Sequence, residues 1–254
     1  GEVTVGTANY TFTTSNWDTP QTVTLTGIND DIIDVDTETT VTISVADASS
    51  NDEYDNVANQ TITVTTTDND AAGFTKSETA QTVTEASGTD TFTLVLNAEP
   101  ASNVVLRVTS ADTGEVTVGT ADYTFTAANW DSAQTVTLTG IDDDIIDVDT
   151  ETTVTITVVD ASSDNNFDTL ADQTITVTTT DNDAAGFTKS QTARTVTEAA
   201  GGANTATFTL VLNAQPATDV VLNVVSADTG EVTVGTANYT FTNGNWDTPQ
   251  TVTL

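Results

Sequence analysis

The amino-acid sequence predicts an all-β protein built from tandem immunoglobulin-like antiparallel β-sandwich repeats of about 113 residues. Three observations support this prediction: an internal repeat of domain length, strict alternation of apolar and polar residues, and clusters of turn-forming residues between the alternating runs. An apolar stripe with helical spacing does not persist anywhere over the length of a helix. The pattern therefore favours strands throughout the chain.

The repeat is visible as near-identical stretches of sequence. GEVTVGTANYTFT at residue 1 returns as GEVTVGTADYTFT at 114 and as GEVTVGTANYTFT at 230, so the spacings are 113 and 116 residues, and the three additional residues follow Glu198. A period of this length suits whole domains in tandem better than solenoid units of about 20 to 50 residues. We expect a piece of a longer array, with the C-terminal part of a preceding repeat at 1–70, a complete repeat at 71–183 and the N-terminal part of a following repeat at 184–254.

Alternation within each repeat identifies the strands. Thr and Val alternate in runs such as TFTLVL (91–96), TVTLTGI (135–141) and TITVTTT (174–180). A period of two residues is typical of a strand with one buried face, and Thr is the polar residue that best fits the outward positions. Turn clusters such as NAEPAS and SADTG separate these runs. About seven short strands in about 110 residues is the number found in immunoglobulin-like sandwiches.

The composition excludes several classes of function. The chain has 38 acidic residues, 4 basic residues, no His and no Cys, which gives a formal net charge of −34. Without Cys and His there is no thiolate nucleophile, disulfide, imidazole metal site or histidine-containing triad. Paired carboxylates could act as the acid and base of a glycosidase, but an active site copied in every repeat would be unusual, so we expect no enzyme. Four cations cannot neutralise a phosphate backbone, and no apolar run is long enough to cross a bilayer, so we expect neither nucleic acid nor membrane insertion.

The acidic residues converge on one end of the predicted sandwich. If successive strands alternate in direction, the loops after the first, third and fifth strands and the exit of the seventh lie together at what we call the far end. Acids occupy all of these positions in the complete repeat: Glu85 after the first strand, Asp112 and Asp122 after the third, the run at 142–149 after the fifth, and Asp181 and Asp183 after the seventh. Two carboxylates about 4 Å apart repel by about 4 kcal/mol at an effective dielectric near 20. A bound cation relieves this repulsion, and oxygen donors from several loops suit Ca²⁺.

The same residues carry a family resemblance. The series TVTE, TADY, GIDDDIIDVDTE and TITVTTTDNDAAGF resembles the Calx-beta family, the calcium-binding sandwich repeat of sodium–calcium exchangers and of large bacterial surface and adhesin proteins. The resemblance covers 71–183 and part of both flanks. It implies Ca²⁺ ligands at Glu85, Asp142, Asp143, Asp147, Asp149, Asp181 and Asp183, with Asp122 and Asp144 as further candidates. Asn182 interrupts the terminal run of acids.

The flanking copies carry only parts of this set. The preceding copy has acids at the matching positions Asp30, Asp31, Asp34, Asp36, Asp68 and Asp70, but it lacks the first strand with its Glu. The following copy has Glu198 and stops before the acidic run. We therefore expect one complete calcium site in this sequence.

These observations favour calcium-binding extender repeats of a long extracellular protein, secreted or surface-anchored and of the adhesin type, in which Ca²⁺ stiffens the junctions between repeats. The expected partners are neighbouring repeats, other copies of the chain, and a cell-surface or glycan target bound through domains outside this sequence. Three alternatives stay open. The acids could be solvated turn residues of a salt-adapted protein. The chain could assemble into a filament, sheath or surface layer by strand addition. The repeats could bind glycans on the tryptophans of the recurring N-W-D triplets, Trp17, Trp130 and Trp246.

Overall fold

The computed structural model describes residues 2–198 and 204–254. Within these ranges the chain forms eighteen strands and three short 3-10 helices, which confirms the all-β prediction. The extension predicted after Glu198 falls on residues 199–203 and lies outside the described residues. None of the described helices has the length and apolar character needed to cross a membrane.

The strands divide among three stretches of the chain. The first segment (2–70) contains β1 (Val3–Val5), β2 (Leu25–Gly27), β3 (Thr37–Ile43) and β4 (Gln60–Thr66). The central segment (71–183) contains β5 (Phe74–Lys76), β6 (Ala80–Thr84), β7 (Thr89–Leu96), β8 (Val104–Ser110), β9 (Val116–Val118), β10 (Asp122–Phe125), β11 (Gln134–Gly140), β12 (Thr150–Val158) and β13 (Gln173–Thr180). The last segment (184–198 and 204–254) contains β14 (Phe187–Lys189), β15 (Thr207–Leu212), β16 (Val220–Asn223), β17 (Asn238–Phe241) and β18 (Gln250–Thr253). The 3-10 helices span Asp47–Ser49, Asp52–Tyr54 and Asp160–Ser162.

The central segment forms an immunoglobulin-like sandwich of two sheets. The strand orders are β10-β8-β12-β13-β6 and β5-β7-β11-β9. Every strand pair is antiparallel except β6 with β13, which run parallel. Nine strands are present where the sequence predicts about seven. The predicted first strand, which ends at Glu85, is β6; an additional strand, β5, precedes it in the other sheet, and the short strands β9 and β10 both follow β8.

Alternation places the apolar side chains between the two sheets. Phe92, Leu94 and Leu96 on β7 are buried, whereas Thr93 and Val95 between them are only partly buried. Phe125 is fully buried in the same core. Trp130 is partly buried and packs against this core, and its backbone carbonyl accepts a hydrogen bond from the Leu96 N–H at 3.1 Å. This placement favours a packing role for Trp130 over a sugar-stacking platform.

The flanking segments repeat the pairings of the central segment. β3 pairs with β4 in the register that β12 and β13 use, displaced by 113 residues. In the same way β1 and β2 match β9 and β11, while β16 and β17 match β8 and β10 at a displacement of 116 residues. The apolar face of the first segment remains open, whereas the last segment buries a small core of its own. Ile43 and Ile62 are each 47% exposed, whereas their central counterparts Ile156 and Ile175 are fully buried.

The acidic loops of the first and central segments each touch the segment that follows in the chain. The Glu99 N–H donates to the backbone carbonyl of Asp31 at 2.7 Å, and the Gln215 N–H donates to that of Asp144 at 2.6 Å. These bonds form two parallel bridges, Ile32 with Glu99 and Ile145 with Gln215, which occupy equivalent positions in successive repeats. The two junctions therefore share one mode of contact, made by the loops that carry the predicted metal ligands.

Gly140 lies where β11 approaches β6 too closely for any side chain. A Cβ at this position would overlap the backbone carbonyl of Thr84 and lie 3.2 Å from Cγ2 of Val83. We expect Gly140→Ala to lower the free energy of unfolding by about 1 to 2 kcal/mol in urea denaturation, because β6 cannot retreat without disturbing its ladder with β13. Gly119→Ala is the matched control, since its nearest neighbours lie at 3.6 Å. Equal losses of stability in both variants would contradict this account.

Candidate metal centre

Strand pairing gathers the acidic residues at the far end. The parallel pair of β6 and β13 aligns Thr84 with Thr180, so the residues that follow, Glu85 and Asp181, leave the sheet side by side. The Glu85 N–H donates to the Thr180 carbonyl at 3.3 Å. β12 begins with Thr150 opposite Thr179, so the loop at 142–149 reaches the same end. Three separate stretches of the chain therefore contribute carboxylates to one region.

Glu85 stands at the centre of this region. Its carboxylate belongs to two groups of three acids, one with Asp143 and Asp183 and the other with Asp147 and Asp181, and the oxygens of each group lie within 4.8 Å of one another. Glu85 is only 2% exposed. The arrangement offers two adjacent positions for a cation, and both use the same buried carboxylate.

Backbone hydrogen bonds hold the acids in place. The Asp183 N–H donates to Oδ1 of Asp181 at 2.7 Å, and the Asp181 N–H donates to Oδ1 of Asp149 at 3.3 Å. The Ile145 N–H donates to Oδ1 of Asp143 at 2.7 Å. Oδ2 of Asp183, in contrast, is buried and has no hydrogen-bond partner. A buried carboxylate oxygen without a donor is costly, and a cation would satisfy it.

Asn182 is an integral part of the centre. Its N–H donates to Oε2 of Glu85 at 3.4 Å, and its side-chain amide donates to Oδ1 of Asp142 at 2.9 Å. The amide therefore ties the exit of β13 to the start of the acidic loop. Asn182 interrupts the run of terminal acids in the sequence, but in the structure it links the exit of β13 to the acidic loop.

Burial and mutual repulsion shift the acids toward protonation. Burial raises the pKa of Glu85, the Asn182 N–H opposes this shift, and the charges of the neighbouring aspartates raise the pKa further. Burial and then the charge of Asp181 raise the pKa values of Asp147 and Asp183. Without a cation, the folded state therefore disfavours the fully ionised cluster.

Glu115, which the sequence pattern did not single out, lies outside the two groups of three acids but close enough to feel their charges. Burial raises its pKa, and the charges of Asp147, Asp112 and Asp143 raise it further. Its backbone carbonyl accepts a hydrogen bond from the Ile141 N–H at 2.9 Å, which fixes the residue at the end of β11. The available signal was the GEVTV motif, since its acid recurs as Glu2 and Glu231.

The remaining candidates of the central segment lie at the edge of the centre. Asp142 and Asp149 contact it only through the bonds already described. The Asp144 side chain is exposed and raises the pKa of Asp183 from a distance. The residues that belong to neither group of three are Asp122, Asp142, Asp144 and Asp149.

Asp122 does not join the cluster. The prediction placed it in a far-end connection, but β9 first runs back from that end, and Asp122 then begins β10 opposite Arg107. Nε and Nη2 of Arg107 donate to its two carboxylate oxygens at 2.7 and 2.9 Å. These bonds lower the pKa of Asp122. In the last segment the corresponding pair is Asn223 and Asn238, joined by an amide hydrogen bond of 2.8 Å.

The first segment repeats part of this geometry. The Asp68 N–H donates to Oδ1 of Asp36, the Asp70 N–H to Oδ1 of Asp68, and the Ile32 N–H to Oδ1 of Asp30, at 3.1, 2.9 and 3.1 Å. The Asp34 N–H donates to Oδ2 of Asp68 at 3.2 Å. Burial raises the pKa of Asp70, and the charges of Asp68, Asp31, Asp30 and Asp34 raise it further. Among the described residues, this segment forms no group of three carboxylates as tight as those around Glu85.

Comparisons with known proteins assign no family. No protein-family model and no curated protein matches the chain. The calcium binding domain CBD12 of CALX1.1 aligns with a TM-score of 0.35 and 15% identity over 72% of this chain and 74% of that chain. Domains 1–6 of the surface layer protein SbsC align with a TM-score of 0.37 and 15% identity over 91% of this chain and 25% of that chain. WR4, a member of the MSP family of C. elegans, aligns with a TM-score of 0.32 and 9% identity over 42% of this chain and 96% of that chain.

Proposed function

We propose that the chain is a non-catalytic, calcium-binding extender of a long extracellular, adhesin-like surface protein, in which Ca²⁺ stiffens the junctions between consecutive sandwich repeats. The observation that carries this proposal is the position of Glu85, a buried carboxylate shared by two groups of acids from separate stretches of the chain. An arrangement of this kind is electrostatically unfavourable unless a cation neutralises it.

The donor set fits a hard cation with several oxygen ligands. The near ligands would be Glu85, Asp143, Asp147, Asp181 and Asp183. All are carboxylates, and the chain offers neither His nor Cys. Ca²⁺ takes six to eight oxygen ligands with flexible geometry, which suits donors from three stretches of chain better than the strict octahedron of Mg²⁺ does. When bound, the ion would supply positive charge and satisfy the unpartnered oxygen of Asp183.

The location of the centre links it to the junction. Asp181 and Asp183 lie in the stretch that joins β13 to β14, and the loop at 142–149 bridges to the last segment through Ile145 and Gln215. A cation held by both stretches would restrict the joint, because it would fix the linker against the loop on which the next segment rests. The matching bridge from Ile32 to Glu99 supports the same role at the preceding junction.

Burial argues against the alternative of solvated turn acids. Acids that serve only to hydrate a salt-adapted surface need full exposure to water. Glu85 is 2% exposed, and Oδ2 of Asp183 is buried without a donor. The burial of these two carboxylates supports a specific ion-binding role at the far end.

Small-angle X-ray scattering of the full chain tests the proposal. We expect millimolar Ca²⁺ to narrow the distribution of shapes and increase the largest dimension, because the acidic junctions stop bending. Mg²⁺ at equal ionic strength is the control for simple charge screening. Identical scattering with Ca²⁺, with Mg²⁺ and in metal-free buffer, at a protein concentration low enough to keep the chain monomeric, would contradict the proposal.

A further inference from the structure

The acidic loops carry isoleucines that the metal centre does not use. The sequence DDIIDVD occurs at 30–36 and again at 143–149, so two isoleucines stand between aspartates in each loop. Ile33 is partly buried and packs against the core of the central segment, which is the segment that follows its own. Val35 of the same loop is 80% exposed. One loop therefore brings carboxylates to the far end of its own segment and an apolar side chain to the next segment.

A short turn of the central segment receives this loop. The turn, NAEPAS at 97–102, follows β7 and lies at the end of the sandwich opposite the far end, which we call the near end. Ala98 and Pro100 are buried. Between them, the Glu99 N–H donates to the Asp31 carbonyl at 2.7 Å. The two segments are therefore joined by a backbone hydrogen bond and by apolar packing, and neither of these requires a cation.

The central segment holds the turn at both ends. The Asn97 N–H donates to the Gly73 carbonyl at 3.0 Å, and the Ser102 N–H donates to Oδ2 of Asp164 at 2.8 Å. Asp164 is itself only 6% exposed. The turn is therefore a fixed part of the central sandwich, and the bond from Glu99 attaches the acidic loop to a rigid element.

The second junction repeats this contact. The turn NAQPAT at 213–218 again has a buried alanine and a buried proline, and the Gln215 N–H between them donates to the Asp144 carbonyl at 2.6 Å. The acidic loop in this case is the one that contributes carboxylates to both groups around Glu85. The contact is therefore a property of consecutive repeats and not of one junction.

The middle of this loop is bonded to the next segment and not to its own sandwich. Among the described residues, the bond to Gln215 is the only backbone-to-backbone hydrogen bond that residues 143–148 make. Asp143 and Asp147 lie in the same stretch, and each belongs to a group of acids with Glu85. When no cation is present, repulsion among these carboxylates pushes the middle of the loop away from its own sandwich.

We propose that each acidic loop is anchored to the repeat that follows it: its isoleucine completes the near end of the next core, and this contact persists without a cation. The hinge of a metal-free junction then lies between the acidic loop and its own sandwich, and the loop moves with the next repeat. This inference goes beyond the proposed function, because it concerns the contact that remains when Ca²⁺ is absent. Only the effect of Ca²⁺ on the hinge rests on the proposed function.

Hydrogen exchange of the full chain in metal-free buffer tests the contact. Ile33→Ala should speed the exchange of the turn at 97–102 about tenfold, because it removes an apolar side chain from the near end of the central core. Val35→Ala is the matched control, since it shortens an exposed side chain of the same loop, and it should leave the turn unchanged. Unchanged exchange in Ile33→Ala, or equal acceleration in both variants, would overturn the proposal.

Protection of β3 and β4 shows whether the first segment stays folded in the variant. If Ile33→Ala also exposes these strands to exchange, Ile33→Val takes its place, because it removes a single methyl group. Ile33→Val should speed the exchange of the turn at 97–102 by a smaller factor while β3 and β4 stay protected. If the turn does not respond to this variant, the loop does not complete the core and the proposal fails.

Distances between paired spin labels locate the hinge. The chain has no Cys, so introduced cysteines are the only labelled positions. Val148→Cys with Ala217→Cys spans the loop and the last segment, and Val148→Cys with Thr176→Cys spans the loop and β13 of its own sandwich; all three positions are exposed. In metal-free buffer the first distribution of distances should be narrower than the second. Equal widths, or the reverse order, would overturn the proposed hinge. If the order holds but Ca²⁺ does not narrow the second distribution, the anchoring of the loop stands and the proposed calcium role fails.

Discussion

Glu85→Gln is expected to abolish the rise in melting temperature that Ca²⁺ causes and, in metal-free buffer, to raise the melting temperature above that of the unmodified chain. The two effects have opposite signs because the Glu85 carboxylate stabilises the calcium-bound protein and destabilises the metal-free protein. With a cation bound, its carboxylate is a shared ligand. Without one, it is a buried charge among other acids, and burial raises its pKa.

The loss of the calcium effect should be large. A ligand that binds only the folded state at a hundred times its dissociation constant contributes about 2.7 kcal/mol of stability per site. Glu85 belongs to both groups of acids, so one substitution weakens both candidate positions. Gln keeps the shape of the side chain and one oxygen that can accept the Asn182 N–H, so the change removes charge with little disturbance of packing.

Differential scanning calorimetry with and without Ca²⁺ measures both effects. Asp122→Asn is the matched control, because Asp122 lies outside the cluster and binds Arg107 instead. It should preserve the full calcium response. If Glu85→Gln keeps that response while Asp122→Asn loses it, the assignment of the centre is wrong and the original prediction for Asp122 is restored.

The convergence of acids at the far end follows from a simple rule. Alternating strand direction brings the loops after odd-numbered strands together, and the structure places Glu85, Asp147 and Asp181 together as that rule predicts. The rule failed for Asp122 because it counted no strand between β8 and β10. A three-residue strand, β9, reverses the chain before Asp122, and alternation is too weak a signal over three residues to reveal it.

Identical sequences in the flanks show what no local pattern can predict. NYTF forms β17 at 238–241, where β16 lies beside it, but the same four residues at 9–12 form no strand. The stretch 193–198 is likewise irregular, although its counterpart in the central segment is β6. Thr- and Val-rich runs are strands only when a partner pairs with their backbone, because an isolated strand leaves its N–H and C=O groups to water. Whether such a run forms a strand depends on a pairing partner that is distant in the sequence. A local sequence pattern carries no information about that partner.

Acidification is expected to stabilise the metal-free protein and to destabilise the calcium-bound protein. Glu85, Asp147 and Asp183 have pKa values raised above the ordinary 4.5 and 3.8. Between its ordinary and its raised pKa, each group binds more protons in the folded state than in the unfolded state. The free energy of unfolding in metal-free buffer therefore falls as pH rises through this interval, and it increases as pH is lowered through it.

With Ca²⁺ bound, the pH dependence of stability has the opposite sign, because protons compete with the ion for the same carboxylate oxygens. Several carboxylates with raised pKa values must lose protons to bind the ion, so we expect the affinity for Ca²⁺ to fall as pH is lowered from 7 into the range where these groups take up protons. Melting temperatures recorded across this range, in calcium and in buffer stripped of metal by a chelating resin, should converge toward low pH. Glu85→Gln should flatten the metal-free curve, because it removes one of the groups that titrate. Two parallel curves would mean that Ca²⁺ binds carboxylates other than those grouped around Glu85.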